Sequence, residues 1–174
     1  MRKYLFILAA GAIGLLSSCS GNGGGMSAAA KKNLDAMHGI SNAFKTKDFS
    51  KVGDFIAEDA VDHGGDMGDV KGLANIRAQF EKWASSTRDE TEETVKELAD
   101  DDYVMSWLHM KGTYTKDEMG HKAGDMFDMN TLEVSKCKDG KATEHWTFLD
   151  VRDMMKMMQA MAPPMDTSKM GPSK

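Results

Sequence analysis

Residues 142–150 place Glu144, Trp146, Phe148 and Asp150 at alternate positions, so a β-strand there sets all four on one side together with Ala142. Thr143, His145, Thr147 and Leu149 then share the opposite side. The aromatic pair marks the pocket-facing side, which puts Glu144 deep and Asp150 near one end. A carboxylate against the apolar wall of Trp146 and Phe148 is harder to ionise. It can take a proton from the carbon beside a carbonyl and return it later. The enolate so formed needs a donor aimed at its oxygen. His109 is the candidate donor, because Tyr103, Met105, Trp107 and His109 share one side of a second predicted strand. Structural accounts stand beside each of these: helix capping for Asp150, a salt bridge for Glu144, a satisfied strand histidine for His109. Trp107 and Trp146 serve equally as pocket walls or as core. His145 points away from the pocket under this parity and is expected to stabilise an outer sheet or dimer face.

Metal chemistry finds little support. His38, His63, His109, His121 and His145 show no metal-ligand spacing, and Cys137 stands alone, so neither a metal nor a cofactor is expected. Methionine is abundant at 16 residues, with Met154, Met155, Met157, Met158 and Met161 in one terminal segment. Thioethers can bind Cu(I), but pliable packing accounts for them without a metal.

The elements that must position these groups follow from periodicity. Apolar Leu34, Met37, Ile40, Ala43 and Phe44 predict a helix over 28–44, with its end uncertain at Gly39. Asp48 caps a second short helix carrying Phe49, Val52, Phe55 and Ile56, and 58–72 reads as an acidic, Gly-rich loop. A third helix spans 73–83. Strands are expected over 91–98, 103–115, 125–135 and 142–150, with Asp139-Gly140 turning the last hairpin. A Met-rich helix over 153–162 closes the domain before Pro163-Pro164. The acid-rich run 88–102 is expected to be a solvated rim. Three N-terminal helices, a meander of antiparallel strands and a short C-terminal helix make an α+β fold. A strongly curved sheet wrapped around a helix would form a cone with a cavity at its wide end.

The chain has 174 residues, 22 Lys and Arg against 27 Asp and Glu, and a net charge of -5. That is one domain's worth of chain, and its acidic balance speaks against nucleic-acid binding. Arg2 and Lys3 precede a short apolar run that ends in Leu16-Ser17-Ser18-Cys19. This has the shape of an export signal and resembles a bacterial lipobox, which would make 1–18 a lipoprotein signal peptide and Cys19 the lipidated first mature residue. Residues 19–27 then form a Gly-rich tether, 28–162 the folded domain and 163–174 a flexible tail. Ser20 resembles the sorting position of outer-membrane lipoproteins, so the expected place is the outer membrane, with the domain facing the periplasm and the Cys19 lipid its only membrane contact.

From Phe55 to His63, through Lys71-Gly72-Leu73, Ile76 and Phe80, and again from Asp139 to Trp146 with Asp150 and Gln159, the chain resembles the SnoaL-like, ester cyclase-like branch of the NTF2-like superfamily. The resemblance implies an NTF2-like cone with a pocket, paired as a homodimer through the outer sheet surface. It implies that Asp62 and His63 line the cavity mouth, and that Asp150, by its place after Glu144-His145-Trp146, corresponds to the general acid/base aspartate of the cyclases. One departure is Asn130-Thr131-Leu132-Glu133-Val134-Ser135, which replaces a more apolar strand ending in Arg and leaves the cyclases' catalytic histidine without a counterpart.

The leading reading is a lipid-anchored domain that binds a small hydrophobic molecule in its pocket. A second makes it a cyclase- or isomerase-type enzyme that uses a pocket carboxylate on a carbonyl compound. A third makes the dimer face the working surface of a scaffold.

Overall fold

Helix α1, Ala28–Thr46, starts where the Ser27 side chain accepts a hydrogen bond from the Ala30 amide and ends at Lys47 in a left-handed conformation. Gly39 does not break it. A Cβ there would come within 2.4 Å of the Phe55 ring, so the glycine is a notch that lets the ring lie against the helix. The computed structural model describes residues 25–65, 68–117 and 121–161. The signal peptide expected over 1–18, Cys19, most of the tether and the tail 163–174 lie outside the described residues. No described helix is long and apolar enough to cross a membrane.

After α1 the chain departs from expectation. The predicted second helix contracts to a single 3₁₀ turn, Val52–Asp54, and the predicted acidic loop supplies two strands, β1 (Ile56–Asp62) and β2 (Val70–Lys71). Helix α2 follows at Leu73–Ser86, then β3 (Thr87–Ala99), β4 (Tyr103–Tyr114), β5 (Met126–Lys138), β6 (Lys141–Leu149) and α3 (Val151–Met161). The acids and glycines of 58–72 read locally as a loop. Pairing of β1 with β6 overrides that preference.

The six strands form one sheet in the order β2-β1-β6-β5-β4-β3. Strand β1 runs parallel to β6, and the remaining pairs are antiparallel. The expected cone of three N-terminal helices on a strongly curved antiparallel sheet is therefore incorrect. Among the described residues the sheet is mixed and open, with β2 and β3 at its edges, and only two α-helices precede its long strands. The fold remains α+β.

Phe49, Val52, Ile56, Ala60 and Ile76 form a core between the helices and β1, with Phe44, Leu73 and Phe80 packed against it. The Phe44 and Phe80 ring centroids lie 4.8 Å apart. A second aromatic group, Trp83, Tyr114 and Phe127, gathers at the α2 end of the sheet, and His121 stacks on Tyr114. Phe127 folds over Gly112, its partner on β4, where a Cβ would meet the ring at 2.4 Å.

The acidic run on β3 is only partly a solvated rim. Glu92 accepts from the Ser41 hydroxyl, Glu97 meets His38 and the Ser106 hydroxyl, and Glu90 pairs with Lys47. Alternate acids thus turn toward α1, while Glu93 and Lys96 stay exposed. Charges pointing inward from an edge strand also discourage edge-to-edge association.

Candidate functional site

A cavity of about 1060 Å³ lies between α1, α2 and the helix-covered face of the sheet. Its strand-borne lining reads down alternate positions: Val104, Ser106, Leu108 and Tyr114 on β4; Thr131, Glu133 and Ser135 on β5; His145, Thr147 and Leu149 on β6. In the β5–β6 register, Thr131 faces Leu149, Glu133 faces Thr147 and Ser135 faces His145. The expected strand parity is thus reversed over residues 145–149 of β6, while Ala142 and Glu144, beside a register irregularity, line the cavity as expected. Trp146 and Phe148 on β6, and Tyr103, Trp107 and His109 on β4, belong to the opposite, outer face.

The physical reason is that the outer face is itself apolar. Met105, Trp107, Leu132 and Phe148 remain largely exposed there, with Phe148 at 53%. Aromatic residues mark the buried side only when the other side is polar. Meanwhile the polar residues of the inner face satisfy one another, so they tolerate burial.

His145 organises that inner face. Its Nδ1 lies 3.3 Å from Asp62 Oδ1, and its Nε2 lies 3.0 Å from Glu133 Oε2. Asp62 is buried at the end of β1, where its Oδ1 also accepts the Gly64 amide at 2.8 Å. Glu133 accepts the Thr147 hydroxyl at 2.7 Å. Burial disfavours the charged imidazole, but hydrogen bonds to Asp62 and Glu133 outweigh it and raise the His145 pKa to about 9. Burial likewise works against the Asp62 carboxylate, yet His145 and the Gly64 amide hold its pKa below the ordinary value. At neutral pH the arrangement is an imidazolium between two carboxylates. The short parallel pairing of β1 with β6 makes it, since Asp62 is the register partner of His145.

Of the residues predicted from sequence, Asp62 and Glu144 line the cavity. Glu144 pairs with Lys136 at 2.8 Å and lies 3.5 Å from His63 Nε2. Those partners, first the Lys136 hydrogen bond, hold its carboxyl below the usual range, opposite to the shift a base in an apolar pocket would show. His63 turns to the outer side, where it stacks on Trp146 with centroids 4.8 Å apart and bonds Asp69 at 3.0 Å. His109 bonds Asp128 at 2.7 Å. Asp150 caps α3: its carboxylate accepts the Arg152 amide and side chain, which hold its pKa at about 2. The structure therefore brings Asp62 together with His145, Glu133 and Thr147, and sets His109, Tyr103, Trp107, Trp146, Phe148 and Asp150 apart from them. Glu133 carried a signal in the sequence, as the carboxylate in an otherwise β-forming run that departs from the family pattern.

Among the described residues no group of three or more His, Cys, Asp or Glu could hold a metal ion. The one free cysteine described, Cys137, is buried, and burial pushes its thiol to about 11. It is a poor nucleophile there.

The family model for SnoaL-like polyketide cyclases matches residues 34–160. No curated protein matches the chain significantly. Similar solved structures include wild-type IdmH from Streptomyces antibioticus, at 26% identity, a TM-score of 0.60 and coverage of 73% of this chain and 98% of that one. A SnoaL-like polyketide cyclase from Agrobacterium tumefaciens is 16% identical, with a TM-score of 0.61 and coverage of 72% and 96%. An LEH-like epoxide hydrolase from M. tuberculosis is also 16% identical, with a TM-score of 0.60 and coverage of 75% and 91%.

Proposed function

Since the chain belongs to the SnoaL-like polyketide cyclase family, we propose that it is a cyclase- or isomerase-type enzyme acting on a carbonyl compound, with Glu133 as its acid/base. The observation that carries this reading is the cavity-facing constellation of Glu133, His145 and Asp62. A pocket that only bound a hydrophobic molecule would have no use for three charged groups at its wall, each costly to desolvate.

Glu133 takes the proton from the carbon beside the substrate carbonyl. The C–H electron pair passes to the enolate, whose oxygen gains the negative charge. The adjacent imidazolium of His145 lowers the energy of that charge without itself giving up a proton. Asp62 is a positioning residue: it holds Nδ1–H of His145 and so directs Nε2–H at Glu133. Thr147 fixes the carboxylate from the other side. Where a C=C double bond is conjugated with the enolate, return of the proton to the far (γ) carbon shifts that double bond and gives an isomer. Attack of the enolate carbon on a second carbonyl instead forms a C–C bond, and Glu133 then protonates the new alkoxide.

The test is exchange of α-protons of an aromatic methyl ketone for deuterium in D₂O, followed by NMR. The expected result is exchange faster than in a buffer control at matched pD, saturating with ketone concentration. Background-rate exchange across a panel of mono- and polycyclic ketones would overturn the reading.

Export through the predicted signal peptide and anchoring at Cys19 belong to the same proposal and rest on the sequence alone. Homodimerisation through the outer sheet face is supported by the exposed Met105, Trp107, Leu132 and Phe148.

A further inference from the structure

We infer that the carbonyl substrate carries a protonated amine, recognised by Glu92 of β3 and Gln79 of α2 in the lining of the same cavity. This rests on the enzymatic reading above and specifies the substrate class. Among the described residues, the cavity lining holds seven carboxylates against three lysines and two histidines. Several of those cations are already engaged. Lys47 donates to the Ala84 and Thr87 carbonyls and sits 3.3 Å from Glu90, and His38 holds Glu97 at 2.8 Å. Lys82 has a partner of its own. Glu92 is different. It is half-buried and accepts the Ser41 hydroxyl at 2.6 Å, yet among the described residues no cation lies within ion-pair distance of it.

A second, independent feature points the same way. Gln79 Oε1 is buried at the cavity wall and has no donor among the described residues. A buried acceptor left unmatched by the protein is a place for a ligand's donor. The same cavity is lined by Phe44 and Phe80, whose ring centroids lie 4.8 Å apart. An aromatic face within a cavity can also receive a cation. The cavity thus presents proton-transfer groups at β5–β6 and acceptors on β3 and α2. A substrate spanning both would place its carbonyl near Glu133 and its ammonium near Glu92.

The test uses three matched probes: 2-acetylnaphthalene substituted at position 6 with aminomethyl, hydroxymethyl or ethyl. Their affinities for the wild-type chain are measured by calorimetry at neutral pH and low salt. The ammonium probe is expected to bind about tenfold more tightly than the ethyl probe, as one close charge interaction allows. Glu92→Gln should reduce that advantage to about threefold or less, and Gln79→Leu should weaken the aminomethyl and hydroxymethyl probes while sparing the ethyl one. Should either variant fail to fold, the salt dependence of the wild-type preference decides, since added salt must erode it. Equal affinity for all three probes, no binding by any of them, or a preference that survives both Glu92→Gln and high salt would overturn the inference. The measurement is one of binding, so it separates the two claims. An amine preference without α-exchange leaves this inference standing and sinks the catalytic reading; exchange without the preference does the reverse.

Discussion

Glu133→Gln lowers the α-exchange rate by about 10²- to 10⁴-fold, the loss expected when a positioned base is removed. Glutamine keeps the acceptor oxygen that Thr147 and His145 use and removes only the proton-accepting charge, so the fold and the cavity should persist. The informative control is Glu144→Gln. Glu144 also borders the cavity, but its carboxylate is committed to Lys136 and His63 on the outer side. Its loss should leave the rate within about threefold of wild type, because exposed ion pairs contribute little. Steady-state kinetics of exchange for the two variants check both statements. In Glu133→Gln the fall should appear in kcat, with KM little changed, since the carboxylate is used in the transition state rather than in seating the ketone.

His145→Phe destabilises the protein by about 3 kcal/mol, near the lower end for breaking a buried ion pair. Asp62 would be left buried, with its Oδ1 held only by the Gly64 amide, while Glu133 would lose its charged neighbour. The pH dependence follows from the sign of the shift. The His145 pKa is raised from 6.5 to about 9, so its contribution is complete below the unfolded-state value and disappears as pH rises through 9. Wild-type stability in urea should therefore fall between pH 6.5 and 9 by about 3 kcal/mol, as an order of magnitude. His145→Phe should be nearly flat over the same window. Asp62 acts at the other end: its depressed pKa gives stability that is lost only as pH falls below the ordinary carboxylate range.

Why the site was harder to read than the elements is visible in β6 itself. Alternation sorted residues 145–149 correctly into two sets, although Ala142 and Glu144, beside a register irregularity, also border the cavity, and Asp139-Gly140 marked the hairpin turn, where both residues have positive φ. What alternation could not supply was which set faced inward. The usual guide, apolar residues inside, failed because Trp107, Trp146 and Phe148 coat the face away from the helices. The inner set contains His145 and Glu133, half-buried charged groups whose place beside the cavity makes sense only once their mutual bond is known. Those bonds depend on β1, which the sequence disguised as helix and loop through Ala57, Glu58, Asp59 and Ala60. Pairing between residues more than eighty positions apart creates the strand, and local preference carries no trace of it. Asp62 was legible as a candidate from its place beside His63; its partner was not.

The cap at Asp150 shows the same limit from the other side. An aspartate after an aromatic strand and before a helix fits both a catalytic base and an N-cap. Arg152, two residues on, decides the matter by taking the carboxylate in a two-pronged contact at 3.0 and 2.9 Å. Asp150 is not among the residues lining the cavity, and such a pair suits a cap.

The central claim is that an imidazolium sits between Asp62 and Glu133 on the helix-covered face of the sheet. A ¹⁵N NMR titration of the histidine side chains, with His145 assigned by its loss in His145→Phe, tests it most directly. The account predicts that both His145 ring nitrogens are protonated at pH 7 and that the ring titrates near pH 9. A neutral His145 at pH 7, titrating near the ordinary imidazole value and insensitive to Glu133→Gln, would contradict it.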